Sequence, residues 1–288
     1  MIYADRDTGV IVTGATGKQG AFHIAFMNAY AREVGGKGVV AGVTPGKGGQ
    51  EVSGVPVYSS LRDALRDHDA TAAVVFVPAA AAMDSVMEAA YAGIEIAVAI
   101  TEHIPVHDAM KAIAYARLQG TTVIGPNCPG LLCPGACKLG IMPVHLAAPG
   151  RVGVISRSGT LTYEVIHELT RAGIGQSTVV GIGGDPVIGQ TFTDVLERFA
   201  DDRETKAVVV IGEVGGALEE EGVASTDLPV VGYIAGVSAP PEKRMGHAGA
   251  IVEGGEGDAA SKIRRLEALG VHVARRVAEI PALVKPLL

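Results

Sequence analysis

The chain has 288 residues, of which 48% are hydrophobic and 19% are charged, and its formal net charge is −7 at pH 7. This composition is typical of a globular protein with one large or two ordinary domains, and it excludes a disordered chain. The acidic balance, without any run rich in lysine or arginine, argues against nucleic acid as a partner.

The N-terminal residues MIYADRDTG lack the pattern of a secretion signal, and the apolar runs are too short to span a membrane. The three cysteines, Cys128, Cys133 and Cys137, are odd in number and clustered, which argues against a disulfide framework. Prolines and a glycine interrupt the cluster, and a fourth ligand at the usual spacing is missing, so we predict no metal site. We expect a cytoplasmic protein without a membrane contact.

Short apolar strands alternate with helical stretches in the first part of the chain. The strands are predicted at 9–14, 38–43, 71–78, 94–101 and 121–127. The helices, whose apolar residues lie three and four positions apart, are predicted at 21–34, 60–68, 81–93 and 106–120. Continuous apolar strands joined by helices predict a parallel sheet that is buried on both faces.

A segment rich in proline and glycine follows at 128–150, and it predicts a linker or an ordered loop. The alternation then restarts. Strands are predicted at 151–159, 176–184, 206–216, 228–236 and 271–276, and helices at 160–173, 191–202 and 261–270. We therefore predict two doubly wound α/β domains, at 1–127 and 151–288.

The stretch TGATGKQG (13–20) lies between the first strand and the first helix. Gly14, Gly17 and Gly20 fit a variant of the dinucleotide fingerprint, in which backbone N–H groups at a helix N-terminus approach a phosphate. Gln19 stands where a P-loop has Ser or Thr, so a P-loop is excluded. A tight turn without a ligand would give the same pattern.

The second strand ends in GVTPGKGG (42–49), which offers Thr44 and Lys47 but no carboxylate for the ribose of NAD. A lysine at this position favours an additional phosphate, as in NADP or coenzyme A. An ordinary solvent-exposed loop is the alternative interpretation.

The second half opens with SRSGTLT (156–162) at another boundary between a strand and a helix. Ser158, Gly159 and Thr160 place hydroxyl and N–H groups at the helix start, which is a suitable site for an anion. A simple helix N-cap is the alternative. The pattern is not G-x-S-x-G, so we predict no hydrolase nucleophile here.

Two further residues combine chemistry with an unusual setting. Glu213 follows an apolar strand and precedes Gly215 and Gly216, so it is expected at the carboxyl edge of the sheet, where α/β proteins bind ligands. His247 lies in RMGHAGA (244–250), where small neighbours leave room for a group on the ring. A carboxylate that fixes the tautomer of this ring would leave its other nitrogen as a nucleophile.

Taken together, the motifs resemble those of the α subunits of succinate–CoA ligases (succinyl-CoA synthetases). The similar segments run in order over nearly the whole chain: TGKQGAFH (16–23), AGVTPGKGG (41–49), ITEHIP (100–105), GPNCPG (125–130), PGRVGVISRSGTLTYE (149–164), GQSTVVGIGGDP (175–186), VIGEVGG (210–216) and VVGYIAGVSAPPEKRMGHAGAI (230–251). The combination is specific, although each segment alone is weak. It implies a Rossmann-like CoA-binding domain followed by a flavodoxin-like ligase domain.

The resemblance also implies roles for individual residues. His247 would carry a phosphoryl group and Glu213 would orient its ring, while the acid substrate would contact Tyr163. The residues implied to hold coenzyme A are Thr16, Gly17, Lys18, Gln19, Lys47, Ile100, Thr101 and Glu102. Those implied to hold the phosphate are Ser158, Gly159 and Thr160, and those near the reacting thiol are Asn127 and Cys128.

In this family a β subunit of the ATP-grasp type binds ATP or GTP with Mg²⁺, and the subunits form αβ or α2β2 assemblies. The resemblance therefore implies such a partner. Malate or citrate could replace succinate with the same chemistry. A CoA-binding regulatory or acyl-transfer module is a further alternative, although the presence of Glu213 and His247 argues against it. An NADP-dependent oxidoreductase is disfavoured by the phosphate-type loop of the second domain.

The chain departs from the usual family pattern in two places. Residues 27–42 form a longer segment than usual, which could change the sheet edge near coenzyme A. Residues 217–229 form a shorter one, which is expected to trim a helix after Glu213.

Overall fold

The structure is a computed structural model that describes residues 1–237 and 257–288. It contains two compact units. The N-terminal unit comprises residues 3–142 and 187–189, and the C-terminal unit comprises 1–2, 143–186 and 190–288. Within the described ranges, no helix combines the length and the apolar character that crossing a membrane would require.

The N-terminal unit is built around a parallel sheet with helices between its strands. Its strands are β1 (Gly9–Thr13), β2 (Gly38–Val43), β3 (Glu51–Val52), β4 (Val55–Tyr58), β5 (Ala72–Val75), β6 (Ile96–Ala99), β7 (Thr122–Ile124), β8 (Gly130–Cys133) and β9 (Cys137–Gly140). Its helices are α1 (Lys18–Val34), α2 (Leu61–Asp67), α3 (Ala79–Tyr91) and α4 (Val106–Leu118).

The strand order is β3-β4-β2-β1-β5-β6-β7, and only the β3–β4 pair of this sheet is antiparallel. The chain winds from β1 through β2 to β4 on one side and from β5 to β7 on the other. This is the Rossmann-like order, and its direction reverses between β1 and β5. Because β1, β5 and β6 are buried along their whole length, their apolar residues need no alternation with polar ones.

The C-terminal unit repeats the architecture with another order. Its strands are β10 (Pro149–Ser156), β11 (Gln176–Gly181), β12 (Ala207–Gly212), β13 (Val230–Ile234) and β14 (His272–Ala274). Its helices are α5 (Gly159–Arg171), α6 (Phe192–Asp201), α7 (Leu218–Ala224), α8 (Ala259–Ala268) and α9 (Ile280–Val284). These five strands pair in parallel in the order β14-β13-β12-β10-β11. This is the flavodoxin-like order, which reverses between β10 and β12. Both halves of the predicted fold class are thus confirmed.

The structure differs from the sequence-based elements in several segments, and β3, β4 and α9 are among the elements that were not predicted. The predicted linker at 128–150 contains the antiparallel hairpin β8–β9, whose turn includes Pro134 and Gly135, and the start of β10. These strands themselves contain Gly130, Gly140, Pro149 and Gly150. Helix α7 was not predicted from apolar periodicity, since its run of three glutamates has no apolar period, although the resemblance implied a trimmed helix after Glu213. It has seven residues and lies within the segment 217–229.

Candidate functional site

The glycine loop between β1 and α1 has the backbone of an anion site. Gly17 is the N-cap of α1 and no side chain caps this end, while the first turn contains Lys18 and no acidic residue. A Cβ on Gly20 would lie 2.3 Å from the carbonyl oxygen of Gly14, so only glycine allows the helix to start this close to the strand. The first-turn N–H groups and the helix dipole therefore favour a negatively charged ligand beside the exposed Lys18 and Gln19.

The loop after β2 lies against this glycine loop. The N–H of Thr16 donates to Oγ1 of Thr44 over 3.2 Å, and the N–H of Lys47 donates to the carbonyl oxygen of Thr44 over 3.0 Å. Thr44 thus joins Thr16 to the turn that carries Lys47. Since Lys47 is exposed, its ammonium group is accessible to a phosphate next to the α1 N-terminus.

A second group of predicted residues meets beyond β6 and β7. Oγ1 of Thr101 donates to the carbonyl oxygen of Val77 over 2.7 Å, and the N–H of Asn127 donates to the carbonyl oxygen of Thr101 over 2.9 Å. Sγ of Cys128 donates to the carbonyl oxygen of Ala99 over 3.3 Å. These bonds bring Thr101, Asn127 and Cys128 together at the carboxyl edge of the sheet.

Ile100 is half-buried and Glu102 is exposed on either side of Thr101. The residues of the glycine loop and the Lys47 turn follow β1 and β2, whereas the group around Thr101 follows β6 and β7. Both therefore lie at the carboxyl edge of the sheet, on opposite sides of the point where the strand order reverses. That edge is where doubly wound sheets bind their ligands.

Two shifted pKa values in this unit come from packing of α1 on β9. Burial, together with the charge of Lys138, lowers the pKa of His23 to about 4, and the ring of His23 stacks on that of Phe76 with 5.3 Å between centroids. Burial lowers the pKa of Lys138 to about 8, and its Nζ lies 5.7 Å from the centroid of the Phe26 ring. These groups connect α1 to the β8–β9 hairpin, and neither is among the predicted site residues.

In the C-terminal unit, Ser158 is the N-cap of α5. Its Oγ accepts from the N–H of Leu161 over 3.3 Å, and its own N–H donates to Oγ of Ser156 over 3.0 Å. The capping interpretation therefore holds for the hydroxyl of Ser158. Gly159 and Thr160 form the first turn of α5, which has no acidic residue, and anion binding there stays a prediction. Tyr163 follows in the same helix and is half-buried.

Glu213 lies where the strand order of this unit reverses. Because Ser156 of β10 pairs with Ile211 of β12, the residues that follow these strands are neighbours. Arg157 donates its N–H to the carbonyl oxygen of Ile211 over 3.1 Å, and its Nε lies 3.0 Å from Oε1 of Glu213. The side chains of Arg157 and Glu213 are only 6% and 9% exposed, so this ion pair is buried.

A hydrogen bond holds the guanidinium group of Arg157: its Nη2 donates to the carbonyl oxygen of Asp185 over 2.8 Å. Its Nε meets Oε1 of Glu213 as an ion pair without hydrogen-bond geometry. The sequence pattern does not single out Arg157 as a site residue. The signal that identifies it is its place directly after a strand, next to the predicted anion loop.

His247 lies outside the described residues. Both described flanks of its segment are hydrogen-bonded next to Glu213. The N–H of Ala235 donates to the carbonyl oxygen of Gly212 over 2.9 Å, and the N–H of Gly215 donates to the carbonyl oxygen of Gly257 over 2.8 Å. The segment between these flanks therefore begins and ends beside the Glu213 strand end.

Comparison with known proteins places this geometry in a family. A model of the CoA binding domain matches residues 5–103, and a model named CoA-ligase matches residues 155–272. The chain is 56% identical to succinate–CoA ligase [ADP-forming] subunit alpha 2 of Archaeoglobus fulgidus, over 100% of this chain and 99% of that protein. It is 54% identical to the corresponding subunit alpha of Methanothermobacter thermautotrophicus, over 97% and 94% of the two chains. The chain belongs to the family of succinate–CoA ligase α subunits.

Solved structures with a similar fold include larger enzymes. ATP citrate lyase from Methanothrix soehngenii, in complex with citrate and coenzyme A, has a TM-score of 0.90 at 24% identity and matches 100% of the present chain. A dinucleotide-forming acetyl-coenzyme A synthetase from Ca. Korarchaeum cryptofilum, in complex with phosphate and ADP, has a TM-score of 0.75 at 21% identity and matches 94%. The chain spans 50% and 59% of those two chains. At such identities the likeness is one of fold.

The buried ion pair gives a test of the site's energetics. Arg157→Met removes the cation and leaves the Glu213 carboxylate buried without it, so the free energy of unfolding should fall by about 3–5 kcal/mol. The double variant Arg157→Met/Glu213→Leu removes both charges and should recover most of this loss. Denaturant unfolding of the three proteins measures the difference. Equal stability of the single and double variants would show that the pair is not the source of the effect.

Proposed function

We propose that this chain is the α subunit of an ADP-forming succinate–CoA ligase, which reversibly forms succinyl-CoA from succinate and coenzyme A at the expense of a nucleoside triphosphate. The α subunits that share 52–56% of its sequence support this assignment. The structural observation that carries it is the position of Glu213. This carboxylate lies at the point where the strand order reverses. The described residues on either side of the His247 segment, Ala235 and Gly257, are hydrogen-bonded to Gly212 and Gly215 next to it.

In the proposed first step, a ring nitrogen of His247 attacks the terminal phosphorus of the nucleotide. A nitrogen–phosphorus bond forms, and the bond from that phosphorus to the bridging oxygen breaks, so that the nucleoside diphosphate leaves. Glu213 accepts the hydrogen bond of the other ring nitrogen, which fixes the tautomer and keeps the attacking nitrogen unprotonated. The helix start at Ser158, Gly159 and Thr160 holds the phosphoryl group through its N–H groups and dipole.

In the following steps a carboxylate oxygen of succinate attacks the phosphorus, which gives succinyl phosphate and frees His247. The thiolate of coenzyme A then attacks the acyl carbon, and inorganic phosphate leaves with the electrons of the broken carbon–oxygen bond. We assign Tyr163 to the acid substrate, and Asn127 and Cys128 to the surroundings of the thiol.

Coenzyme A is proposed to bind along the carboxyl edge of the N-terminal sheet. Its phosphates fit the α1 N-terminus at Thr16, Gly17, Lys18 and Gln19 and the ammonium group of Lys47, and the rest of the molecule contacts Ile100, Thr101 and Glu102. The hydrogen bonds through Thr44 and Thr101 support this, because they organise each of the two groups. Lys47 replaces the carboxylate that an NAD site would need.

The nucleotide and Mg²⁺ are assigned to a β subunit of the ATP-grasp type, which forms an αβ or α2β2 enzyme with this chain. That partner would also supply a second helix N-terminus to the phosphoryl group. We place the enzyme in the cytoplasm.

Phosphorylation of His247 tests the proposal. With the β subunit, Mg²⁺ and labelled ATP or GTP, the chain should take up one phosphoryl group that survives alkali and breaks in acid, as a phosphoramidate does. Succinate with coenzyme A should discharge the label, and His247→Ala should abolish labelling and turnover because the nucleophile is missing. A panel of succinate, malate and citrate identifies the acid.

The position of the label decides between the two loops. Peptide mapping should place it on the fragment with Met245–Ala250. A label on Ser158 or Thr160 would make the second glycine loop the acceptor, and full turnover by His247→Ala would refute the phosphohistidine.

Binding of coenzyme A tests the N-terminal site independently. Lys47→Ala should weaken coenzyme A binding by about 1–3 kcal/mol, because a charge-assisted contact with a phosphate is lost. Lys285→Ala, an exposed lysine near the C-terminus, should leave the affinity unchanged. Calorimetry with coenzyme A, dephospho-coenzyme A and NADP measures both effects. Tighter binding of NADP than of coenzyme A would contradict this assignment.

A further inference from the structure

Lys262 of α8 is a fully buried lysine outside the residues assigned above. Its Nζ lies 2.5 Å from Oε2 of Glu219, and it donates to the carbonyl oxygens of Gly215 over 2.8 Å and Gly216 over 3.2 Å. An ammonium group has three donors, so these three acceptors satisfy it. Because a buried charge is costly unless it is paired and hydrogen-bonded, this arrangement restrains all of its partners.

The other carboxylate oxygen of Glu219 contacts the backbone of the site. Oε1 of Glu219 accepts the hydrogen bond of the Glu213 N–H over 3.1 Å, in a buried position. Gly212 makes this approach feasible, since a Cβ there would lie 2.4 Å from the same oxygen. A continuous chain of contacts therefore leads from Lys262 through Glu219 to Glu213.

The loop that follows Glu213 needs such a restraint. Gly215 and Gly216 have positive φ angles of 99° and 59°. Glycine adopts such angles easily, and its backbone is less restricted than that of other residues. Lys262 holds the carbonyl oxygens of both glycines, and Glu219 holds the N–H of Glu213. The ion pair with Arg157 lies at the other end of Glu213, at its carboxylate.

We propose that Lys262 and Glu219 are positioning residues for the phosphoryl transfer: they fix the backbone of Glu213 so that its carboxylate meets the histidine ring in one orientation. This inference rests on the proposed role of Glu213. Neither residue touches the reacting atoms. Their effect on the rate is transmitted through Glu213 alone, whereas an effect through general stability would be independent of Glu213.

Glu220 is a matched control on the same helix. Its Oε2 lies 3.7 Å from Lys262, and it is as buried as Glu213, at 7% exposure, but no hydrogen bond joins it to the Glu213 backbone. Neither of its oxygens has a hydrogen-bond partner among the described residues. Glu220→Gln therefore removes a carboxylate from the same buried cluster without changing the chain of contacts to Glu213.

The experiment is a double-mutant cycle on single-turnover phosphorylation of the chain bound to its β subunit, with labelled ATP and Mg²⁺. Glu219→Gln should slow labelling by about ten- to a hundredfold, since Lys262 and the Glu213 N–H donate to different carboxylate oxygens, and the amide NH2 group that replaces one oxygen would face a donor. Glu220→Gln should keep the wild-type rate. In a Glu213→Gln background, Glu219→Gln should add no further loss, because its route to the ring is already broken. The affinity for coenzyme A should stay unchanged throughout.

The volume-matched variant Lys262→Met/Glu219→Leu covers the case in which Glu219→Gln does not fold. It is made in a Glu220→Gln background, because Glu220 is the other buried carboxylate near Lys262 and would otherwise be left without a cation. With no charge of the cluster left, the variant should stay folded while labelling remains slow. A wild-type rate in this folded variant, or equal losses from Glu219→Gln with and without Glu213→Gln, would overturn the positioning role. Absence of labelling in the wild-type complex would instead refute the proposed function itself.

Discussion

The buried ion pair between Arg157 and Glu213 is the interaction on which the site depends. It joins the ends of β10 and β12, the two strands between which the winding of the C-terminal sheet reverses. Two charges in a low-dielectric interior tolerate little displacement, because separation would leave each one desolvated and unpaired. The pair therefore holds the Glu213 carboxylate, and the contact between the Glu213 N–H and Glu219 holds its backbone.

Both units place the N-terminus of a helix at the carboxyl edge of their parallel sheet. In each sheet the first strand is followed by a glycine-containing turn and a helix whose first turn has no acidic residue. Parallel strands bring these helix starts to the carboxyl edge, where their dipoles favour anions. In the proposed function the N-terminal edge holds the phosphates of coenzyme A, and the C-terminal edge holds a transferred phosphoryl group. The same arrangement of strand, glycine turn and helix thus serves coenzyme A binding in one unit and phosphoryl transfer in the other in the proposed reaction.

Much of the fold could be predicted from the sequence, since alternating apolar strands and helices dictate two doubly wound sheets and place Glu213 at a strand end. Lys262 and Glu219 could not be predicted as a pair, because they are 43 positions apart and meet only through the tertiary fold. A weak signal existed, in that Lys262 shares a helix face with the buried Ile263 and Leu266. For Ser158 the sequence left two interpretations, and only the coordinates show its hydroxyl capping α5.

The most direct measurement is the structure of the unphosphorylated complex with the β subunit, in which the distance between the ring of His247 and the carboxylate of Glu213 can be read. A hydrogen bond of about 2.6–3.2 Å from a ring nitrogen to Glu213, with Arg157 still paired to the same carboxylate, is the expected result. A ring that lies beyond hydrogen-bond reach of Glu213 and is oriented by a different carboxylate or carbonyl would contradict the central role given to Glu213.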